Sequence, residues 1–259
     1  MTEPLVTYAV ADRIATIALN RPEKRNALNP EMVSLLTEKI LDAAADQEIK
    51  VIILKATGNT FSAGADLAYL QELQHYTDEE NLADSQNLKN LFSTIYLLPK
   101  VVIAQVEGHA IAGGCGLATV CDFVFAIPEA NFGYTEVKLG FVPAIVSCFL
   151  MRKTSETLAK QLLLTGELFS AQQALAYGLI NFVTSKENIG QKARDFALNL
   201  CSTTSANSLM VTKQLIGQTT NQNLQECLEL AVQLNAKVRN SEDFKKGIAS
   251  FLNKEKINW

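Results

Sequence analysis

The stretch that decides the fold is "VVIAQVEGHAIAGGCGLATVCDFVFA", residues 101–126. It begins as an apolar run typical of a buried strand, passes through four glycines and ends in a second apolar run. Glycine costs stability inside any regular element, so this number of glycines between two strands needs a reason. At a strand-to-helix turn, glycine lets a ligand approach the unpaired first N–H groups of the helix. The stretch therefore indicates either a site for anionic oxygen or close helix–strand packing.

A second loop of the same kind favours the first interpretation. "NTFSAGADL", residues 59–67, also follows a strand, is rich in small residues and offers the N–H of Ala65. Two such donors aimed at a carbonyl oxygen would form an oxyanion hole, in which each contributes roughly 3–4 kcal/mol to catalysis. The alternative is a dinucleotide site, because Gly114 and Gly116 half-match its fingerprint and Glu136 lies about 20 residues further on. However, Thr119 occupies the place of the third glycine.

Outward from these loops, strands and helices alternate. "LVTYAV" and "IATIALN" read as strands joined by the turn "ADR", and a helix with Pro30 at its start precedes the strand "VIILKAT". After the loop "GNTFSAGADLAYL", a helical stretch through about Leu98 leads to the strands "KVVIAQV" and "DFVFAI". This order predicts an α/β crossover fold. From about Ser185 only helical patterns remain, with Ser241 as the expected N-cap of the last helix.

Composition limits the function classes. The 259 residues are 48% hydrophobic and 19% charged, with a net charge of −4 and a pI near 5.4. We therefore expect neither nucleic acid nor an anionic membrane as the main partner. The N-terminus "MTEPLVTYAVADR" lacks a leader pattern, and no apolar run approaches the ~20 residues needed to span a bilayer. We expect a cytoplasmic protein.

Five cysteines have no CxxC pair, so a zinc site or redox centre is not expected. We interpret them as reduced thiols in apolar surroundings. A nucleophilic Cys115 beside the glycines is the alternative, although the chain has only two histidines to activate it.

Five motifs, in order and at the expected spacings, then identify a family. "RPEKRNALNPEM", "FSAGADL", "AIAGGCGLATVCD", "NFGYTEVKLGFVPA" and "LLTGELFSAQQALAYGLIN" resemble the enoyl-CoA hydratase/isomerase family, the crotonases, over nearly the whole chain. Within that family, "TEVKLGFVPAIVS" together with Gly116 looks most like the bacterial methylglutaconyl-CoA hydratases of leucine breakdown.

The resemblance implies a fold and a substrate class. The fold would be a crotonase (ClpP/crotonase-like) spiral of ββα units, with residues 1–184 forming the core for CoA binding and catalysis. Residues 185–259 would form a helical region that contacts CoA and builds a homotrimer or homohexamer. The substrate would be an acyl-CoA thioester of fatty acid or leucine metabolism, with no cofactor and no metal beyond the CoA that the substrate itself carries.

The resemblance also implies site residues. The backbone N–H groups of Ala65 and Gly113 would hold the enolate oxygen, and Glu136 would act as acid and base; a surface glutamate is the alternative. We expect an apolar setting that raises the pKa of this carboxyl, supplied by its neighbours Phe132, Tyr134, Val137, Leu139 and Phe141. Lys24 and Arg25 would lie near the nucleotide phosphates of CoA, and Lys254 would reach CoA from the last helix. The alternative for all three is a solvated surface charge. The full set implied for CoA binding is Lys24, Arg25, Ala27, Ala63, Asp66, Gly114 and Lys254.

The chain departs from the family pattern at one catalytic position. Gly116 stands where the two-glutamate hydratases carry their first acid. A single base, Glu136, suits the shift of a double bond from C3 to C2, whereas hydration also needs a well-held water, for which Glu107 or His109 are candidates. We expect a hydratase, with a 3,2-trans-enoyl-CoA isomerase as the alternative. A thioester decarboxylase and a non-catalytic binder of CoA esters or RNA are disfavoured by the retained Glu136.

A methylglutaconyl-type substrate adds one requirement. Its distal carboxylate would be costly to bury without a basic or hydrogen-bonding partner. Lys138, Arg152 and Lys153 lie downstream of Glu136 and are the candidates.

Overall fold

The computed structural model describes residues 3–220 and 222–259. Over these residues the strands are β1 (Val6–Ala11), β2 (Ile14–Leu19), β3 (Val51–Ala56), β4 (Thr60–Ser62), β5 (Val101–Val106), β6 (His109–Ile111), β7 (Phe123–Ala126), β8 (Asn131–Gly133), β9 (Phe169–Ser170) and β10 (Phe182–Val183). The helices are α1 (Pro30–Ala45), α2 (Leu67–Leu73), α3 (Asp78–Leu97), α4 (Gly113–Thr119), α5 (Ala144–Leu150), α6 (Glu156–Thr165), α7 (Ala171–Ala176), α8 (Lys186–Thr203), α9 (Ala206–Thr219), α10 (Leu224–Val238) and α11 (Glu242–Asn253). Short 3-10 helices span Pro22–Lys24 and Glu136–Leu139.

The larger sheet has the strand order β1-β2-β3-β5-β7-β10. β1 and β2 pair antiparallel through a turn in which Asp12 and Arg13 have φ of 53° and 65°, which confirms the predicted hairpin. The other pairs are parallel. β5 is apolar and buried along its length, as expected for an interior strand of a parallel sheet. The α/β crossover prediction is therefore confirmed.

A smaller sheet of order β4-β6-β8-β9 lies in the segments that carry the small-residue loops. β4, β6 and β8 are parallel to one another, and β9 is antiparallel to β8. The loop predicted around Thr60 is wrong for Thr60–Ser62, which form β4. A strand of three residues is too short to show the alternation that identifies strands.

Of two predicted helical stretches, the first is confirmed and the second is wrong in its extent. α1 begins at Pro30 as predicted, and the side chain of Asn29 caps it by accepting a hydrogen bond from the N–H of Met32 at 2.9 Å. The single helical stretch expected up to about Leu98 is instead two helices, α2 and α3. The break arises because Thr77 and Glu80 form a capping box that starts a new helix.

From Lys186 onward the elements of the described residues are all helices, as predicted, joined by short turns and followed by a tail after Asn253. Ser241 caps α11 by accepting from the N–H of Phe244 at 3.2 Å. α8 buries Ile189, Ala193 and Ala197, whereas α11 leaves Phe251 80% exposed. The predicted trimer or hexamer remains a prediction. No helix in the described ranges is both long enough and apolar enough to cross a bilayer.

All five cysteines are free thiols. Cys115, Cys121 and Cys201 are buried, as predicted, and Cys227 is half-buried. The prediction of apolar surroundings is wrong for Cys148, which is exposed because it lies on the outer side of α5 while Val146 faces the core.

Candidate active site

Three neighbouring strands of the smaller sheet end at the same edge. β4 leads into Ala65, β6 leads into Gly113 and β8 leads into Glu136. Because these strands are parallel, their carboxyl ends meet at one edge, where ligands of open α/β sheets bind. The topology therefore gathers the two predicted N–H donors and the predicted acid.

Backbone pairing sets the direction of the Ala65 N–H. The N–H of Leu28 donates to the carbonyl of Gly64 at 2.7 Å, and the N–H of Asp66 donates to the carbonyl of Leu28 at 2.9 Å. In this parallel bridge the N–H of Ala65 points away from Leu28. Within the described part of the chain it donates to no acceptor, and the residue is exposed. The donor is therefore open to a ligand.

Gly113 supplies the second donor because it is the first residue of α4. The first N–H groups of a helix have no intrahelical acceptor. The preceding residue, Ala112, has φ 49° and is held in this conformation by its own N–H, which donates to the carbonyl of Gly133 at 2.7 Å. A non-glycine residue at positive φ costs about 1–3 kcal/mol, and such strain concentrates at functional sites.

The two loops touch each other. A methyl group placed on Gly64, whose φ is +88°, would lie 2.9 Å from Cβ of Ala112 and 3.5 Å from the nitrogen of Gly113. The segment that carries the Ala65 N–H is thus packed directly on the segment that carries the Gly113 N–H. This proximity is what an oxyanion hole built from two backbone donors requires.

Close packing explains one of the neighbouring glycines and leaves the other unexplained. A methyl group on Gly114 would lie 2.5 Å from the carbonyl oxygen of Ser62, so the fold itself requires glycine there. A methyl group on Gly113 would meet only Cδ1 of Leu28, at 3.5 Å. Beyond the local backbone, no other atom of the described residues lies within 4 Å of that methyl group, so packing does not require glycine here and a ligand is the better explanation.

Glu136 begins the 3-10 helix that follows β8 and is 8% exposed. Its Oε2 is buried and has no hydrogen-bond partner among the described residues. Burial raises the pKa of this carboxyl, and a backbone hydrogen bond within Glu136 partly offsets the rise. A buried carboxylate with an unused oxygen and a raised pKa is suited to proton transfer.

The apolar setting expected around Glu136 is confirmed only in part. Phe132 and Tyr134 are buried and Val137 is half-buried, as expected. The expectation is wrong for Leu139 and Phe141, which are 69% and 60% exposed. The turn that follows Glu136 carries these two side chains outward.

Gly116 lies one helical turn after Gly113 and faces apolar groups. A methyl group there would lie 2.5 Å from Cγ2 of Val146 and 2.9 Å from Cε2 of Phe92. The space in front of this position is therefore already filled, and it holds no acid. Glu107 and His109 lie at the amino end of β6, opposite Gly113, where Glu107 accepts from Nε2 of Gln105 and Nδ1 of His109 accepts from the N–H of Asn131.

The predicted CoA residues of the first loops are brought together. The N–H of Ala63 donates to the carbonyl of Arg25 at 3.0 Å, so the segments 25–28 and 63–66 run side by side. Lys24 and Asp66 line one open cleft of about 240 Å³. Ala27 is buried, whereas Lys24 and Arg25 are exposed.

Asp66 has a second, structural role that its motif does not predict. Its side chain caps α2, and Arg21 donates to it at 2.5 Å. Burial raises the pKa of Asp66, but the hydrogen bond from Arg21 and two backbone N–H groups outweigh it and hold the pKa below its ordinary value. Arg21 precedes the proline of "RPEKRN", and nothing in that motif points to an aspartate 45 residues away.

Lys254 is not among the residues that line the cleft. It ends α11 in the left-handed conformation, with φ 56°, and is exposed. The tail that follows packs on α8, where the N–H of Trp259 donates to the carbonyl of Ser202 at 3.3 Å. The CoA contact of Lys254 remains a prediction.

Comparison with known proteins identifies the family. The family model described as "Enoyl-CoA hydratase/isomerase" matches residues 10–259. The chain belongs to the enoyl-CoA hydratase/isomerase family. The predicted family resemblance is thereby confirmed.

Relatives of this hydratase/isomerase family member match it in sequence and in structure. A Thermus thermophilus protein that carries a provisional enoyl-CoA hydratase name is 42% identical over 241 residues, which is 93% of this chain and 95% of the relative. The 2,3-dehydroadipyl-CoA hydratase of Escherichia coli is 34% identical and covers 93% of both chains. The crystal structure of an enoyl-CoA hydratase from Mycobacterium smegmatis has a TM-score of 0.92, 26% identity and 99% coverage of both chains. The predicted crotonase fold is confirmed.

The three cations considered as partners of a distal carboxylate, Lys138, Arg152 and Lys153, differ in their contacts and exposure. Nζ of Lys153 donates to the carbonyl of Cys121 at 2.8 Å, and burial lowers its pKa. The guanidinium of Arg152 lies 5.8 Å from the ring centre of Tyr96. Lys138 is exposed and lies in the same 3-10 helix as Glu136.

Proposed function

We propose that this member of the enoyl-CoA hydratase/isomerase family hydrates an enoyl-CoA thioester of the methylglutaconyl-CoA type. Glu136 acts as acid and base, and the N–H groups of Ala65 and Gly113 hold the enolate oxygen. The observation that carries the proposal is the buried Oε2 of Glu136, which has no partner among the described residues and lies at the strand edge that presents both donors.

The proposed reaction uses Glu136 twice. The carboxylate removes a proton from water as the water oxygen attacks C3. The electron pair of the C2–C3 double bond moves towards the thioester oxygen, where two N–H groups stabilise the developing negative charge. The carboxylic acid then returns the proton to C2 on the same face, so that water is added in the syn sense. The raised pKa of Glu136 favours this alternation between base and acid.

The CoA moiety would lie along the paired segments 25–28 and 63–66. Lys24 and Arg25 are exposed cations there, able to meet phosphate groups, while Ala27, Ala63 and Asp66 shape the wall. Gly114 lets α4 approach β4 closely enough for Gly113 to face this channel.

A substrate with a distal carboxylate is supported by two observations. The Escherichia coli relative acts on 2,3-dehydroadipyl-CoA, which is a dicarboxylic enoyl thioester. Lys138 is the exposed candidate cation two residues from Glu136, whereas the amine of Lys153 is committed to a backbone carbonyl. We therefore propose Lys138 as the partner of the distal carboxylate.

Isomerisation of a 3-enoyl-CoA is the second candidate, and Gly116 favours it. Val146 and Phe92 fill the space before this glycine, so no second carboxylate holds a water there. In this reaction Glu136 would remove a C2 proton and return it at C4 without any water. The same two N–H groups would stabilise the dienolate.

The test follows absorbance and product mass for wild type and Glu136→Gln with 3-methylglutaconyl-CoA, crotonyl-CoA and 3-hexenoyl-CoA. Hydration adds the mass of water and removes the conjugated absorbance. Isomerisation of 3-hexenoyl-CoA creates that absorbance at constant mass, and decarboxylation loses carbon dioxide. We expect methylglutaconyl-CoA to gain water fastest, and Glu136→Gln to abolish the gain. A wild type that only isomerises would establish the second candidate, and turnover that survives Glu136→Gln would refute both.

A further inference from the structure

A buried hydroxyl network lies behind the catalytic edge. Oη of Tyr134 and Oγ1 of Thr119 are 2.7 Å apart, and Oγ1 of Thr119 donates to the carbonyl of Cys115 at 2.8 Å. Thr119 has one hydroxyl hydrogen, which this carbonyl takes, so the hydroxyl of Tyr134 must be the donor to Thr119. Both side chains are buried, and the cavity of about 10 Å³ beside them is otherwise lined mainly by apolar groups.

The network connects the helix that begins with the Gly113 donor to the segment that carries Glu136. Cys115 and Thr119 belong to α4, the helix that begins with the Gly113 donor. Tyr134 lies two residues before Glu136. α4 is therefore attached to the segment 133–136 at both of its ends. At the amino end the N–H of Ala112 donates to Gly133, and at the carboxyl end Tyr134 donates to Thr119.

We propose that Tyr134 is a positioning residue that, through Thr119, fixes the direction of the Gly113 N–H relative to the carboxylate of Glu136. A seven-residue helix attached at one end can tilt, whereas attachment at both ends sets its axis. The backbone contact at Gly133 cannot be removed by side-chain substitution, but the hydroxyl contact at Tyr134 can. Misplacement of a catalytic group by about 1 Å can lower a rate about 100-fold.

The inference rests on the proposed catalytic role of Glu136, so the experiment includes Glu136→Gln. The experiment measures kcat and KM for the thioester that wild type turns over fastest. The assay temperature is kept below the unfolding temperature of every variant. Tyr134→Phe and Thr119→Val each remove one hydroxyl of the network, and Thr119→Ser retains it. Tyr177→Phe is the matched control, because Tyr177 packs on the Phe169 ring that also contacts Tyr134 and its hydroxyl is outside the network.

We expect Tyr134→Phe and Thr119→Val each to lower kcat about 10-fold or more while KM changes less than about twofold. The double variant should lose little more than either single one, because the two hydroxyls act as a unit. Thr119→Ser should keep most of the wild-type kcat, and Tyr177→Phe all of it.

Wild-type kcat in folded Tyr134→Phe, with only a lower Tm, would overturn the inference and leave Tyr134 a purely structural residue. Should Tyr134→Phe not fold, Thr119→Val compared with Thr119→Ser gives the same decision. Equal losses in these two variants would contradict the role of the hydroxyl. If Glu136→Gln retains full kcat, the proposed function fails, and that result is separate from any outcome at Tyr134.

Discussion

Gly113→Ala should raise stability and lower turnover at least 100-fold. The structure leaves the position of the added methyl group free except for Cδ1 of Leu28 at 3.5 Å, an ordinary van der Waals contact. Gly113 begins α4 and does not have positive φ, so alanine fits the backbone. Replacement of glycine by alanine at such a compatible site stabilises a protein by about 0.4–1 kcal/mol, chiefly through the unfolded chain.

The loss of activity follows from where the methyl group would lie. In the proposed site, it would occupy space beside the Gly113 N–H that the thioester oxygen needs. Loss of one oxyanion-hole donor lowers kcat about 100- to 1,000-fold, equivalent to about 2.7–4 kcal/mol. Gly114→Ala is the matched control with the opposite expectation for stability. Its methyl group would lie 2.5 Å and 2.6 Å from the oxygen and Cβ of Ser62, and such overpacking costs about 1–3 kcal/mol.

The assay combines urea unfolding with turnover of the preferred thioester for wild type, Gly113→Ala and Gly114→Ala. We expect Gly113→Ala to unfold at equal or higher urea concentration with turnover reduced at least 100-fold. Turnover within threefold of wild type in a stable Gly113→Ala would refute the reasoning. It would mean that glycine at this position serves neither packing nor the ligand.

Three further predictions concern charge, capping and thiol chemistry. Burial raises the pKa of Glu136 in the folded protein above its ordinary value of 4.5. At pH values above the raised pKa, the buried carboxylate therefore lowers the free energy of unfolding, and below pH 4.5 this destabilisation is absent. Glu136→Gln should therefore raise Tm at pH 8 by more than at pH 5, and an equal rise at both would contradict this. Asp66→Ala should lower the free energy of unfolding by about 1 kcal/mol because it removes the cap of α2. Asp66→Asn should lower it less, because an asparagine side chain can also cap a helix, and denaturant titration distinguishes the two variants. Iodoacetamide should label the exposed Cys148 without changing turnover. Cys115 should stay unlabelled, because it is buried and its pKa is raised to about 12. Labelling of Cys115, mapped by mass spectrometry and accompanied by loss of turnover, would instead support Cys115 as a nucleophile.

Sequence patterns predict the elements that bury an apolar face along several residues. β3, β5 and α1 are of this kind: β3 and β5 begin with continuous apolar runs, and the buried apolar residues of α1 repeat at helical intervals. The smaller sheet escapes this reasoning because β4, β6 and β8 have three residues each. Its strands are identified by their pairing partners, which lie far away in the sequence.

The candidate site shows the same division. The glycines at positions 113 and 114 predict an unusual backbone, but only the structure separates the one that packing requires from the one that it leaves free. The pair of Arg21 and Asp66 and the network of Tyr134 and Thr119 are contacts between distant segments, so no local motif reveals them. Burial of Glu136 could be anticipated from its aromatic neighbours, whereas the outward turn of Leu139 and Phe141 could not.

The most direct test of the central claim measures hydrogen exchange at C2 of 3-methylglutaryl-CoA, a saturated analogue that cannot be hydrated. Wild type and Glu136→Gln are incubated with it in D₂O, and deuterium incorporation is followed by mass spectrometry. This isolates removal of the C2 proton and formation of the enolate from every step that involves water addition. The account predicts exchange by wild type and a rate at least about 100-fold lower for Glu136→Gln, the lower bound for loss of a general base. Equal exchange by the two proteins would contradict the assignment of Glu136 as the base.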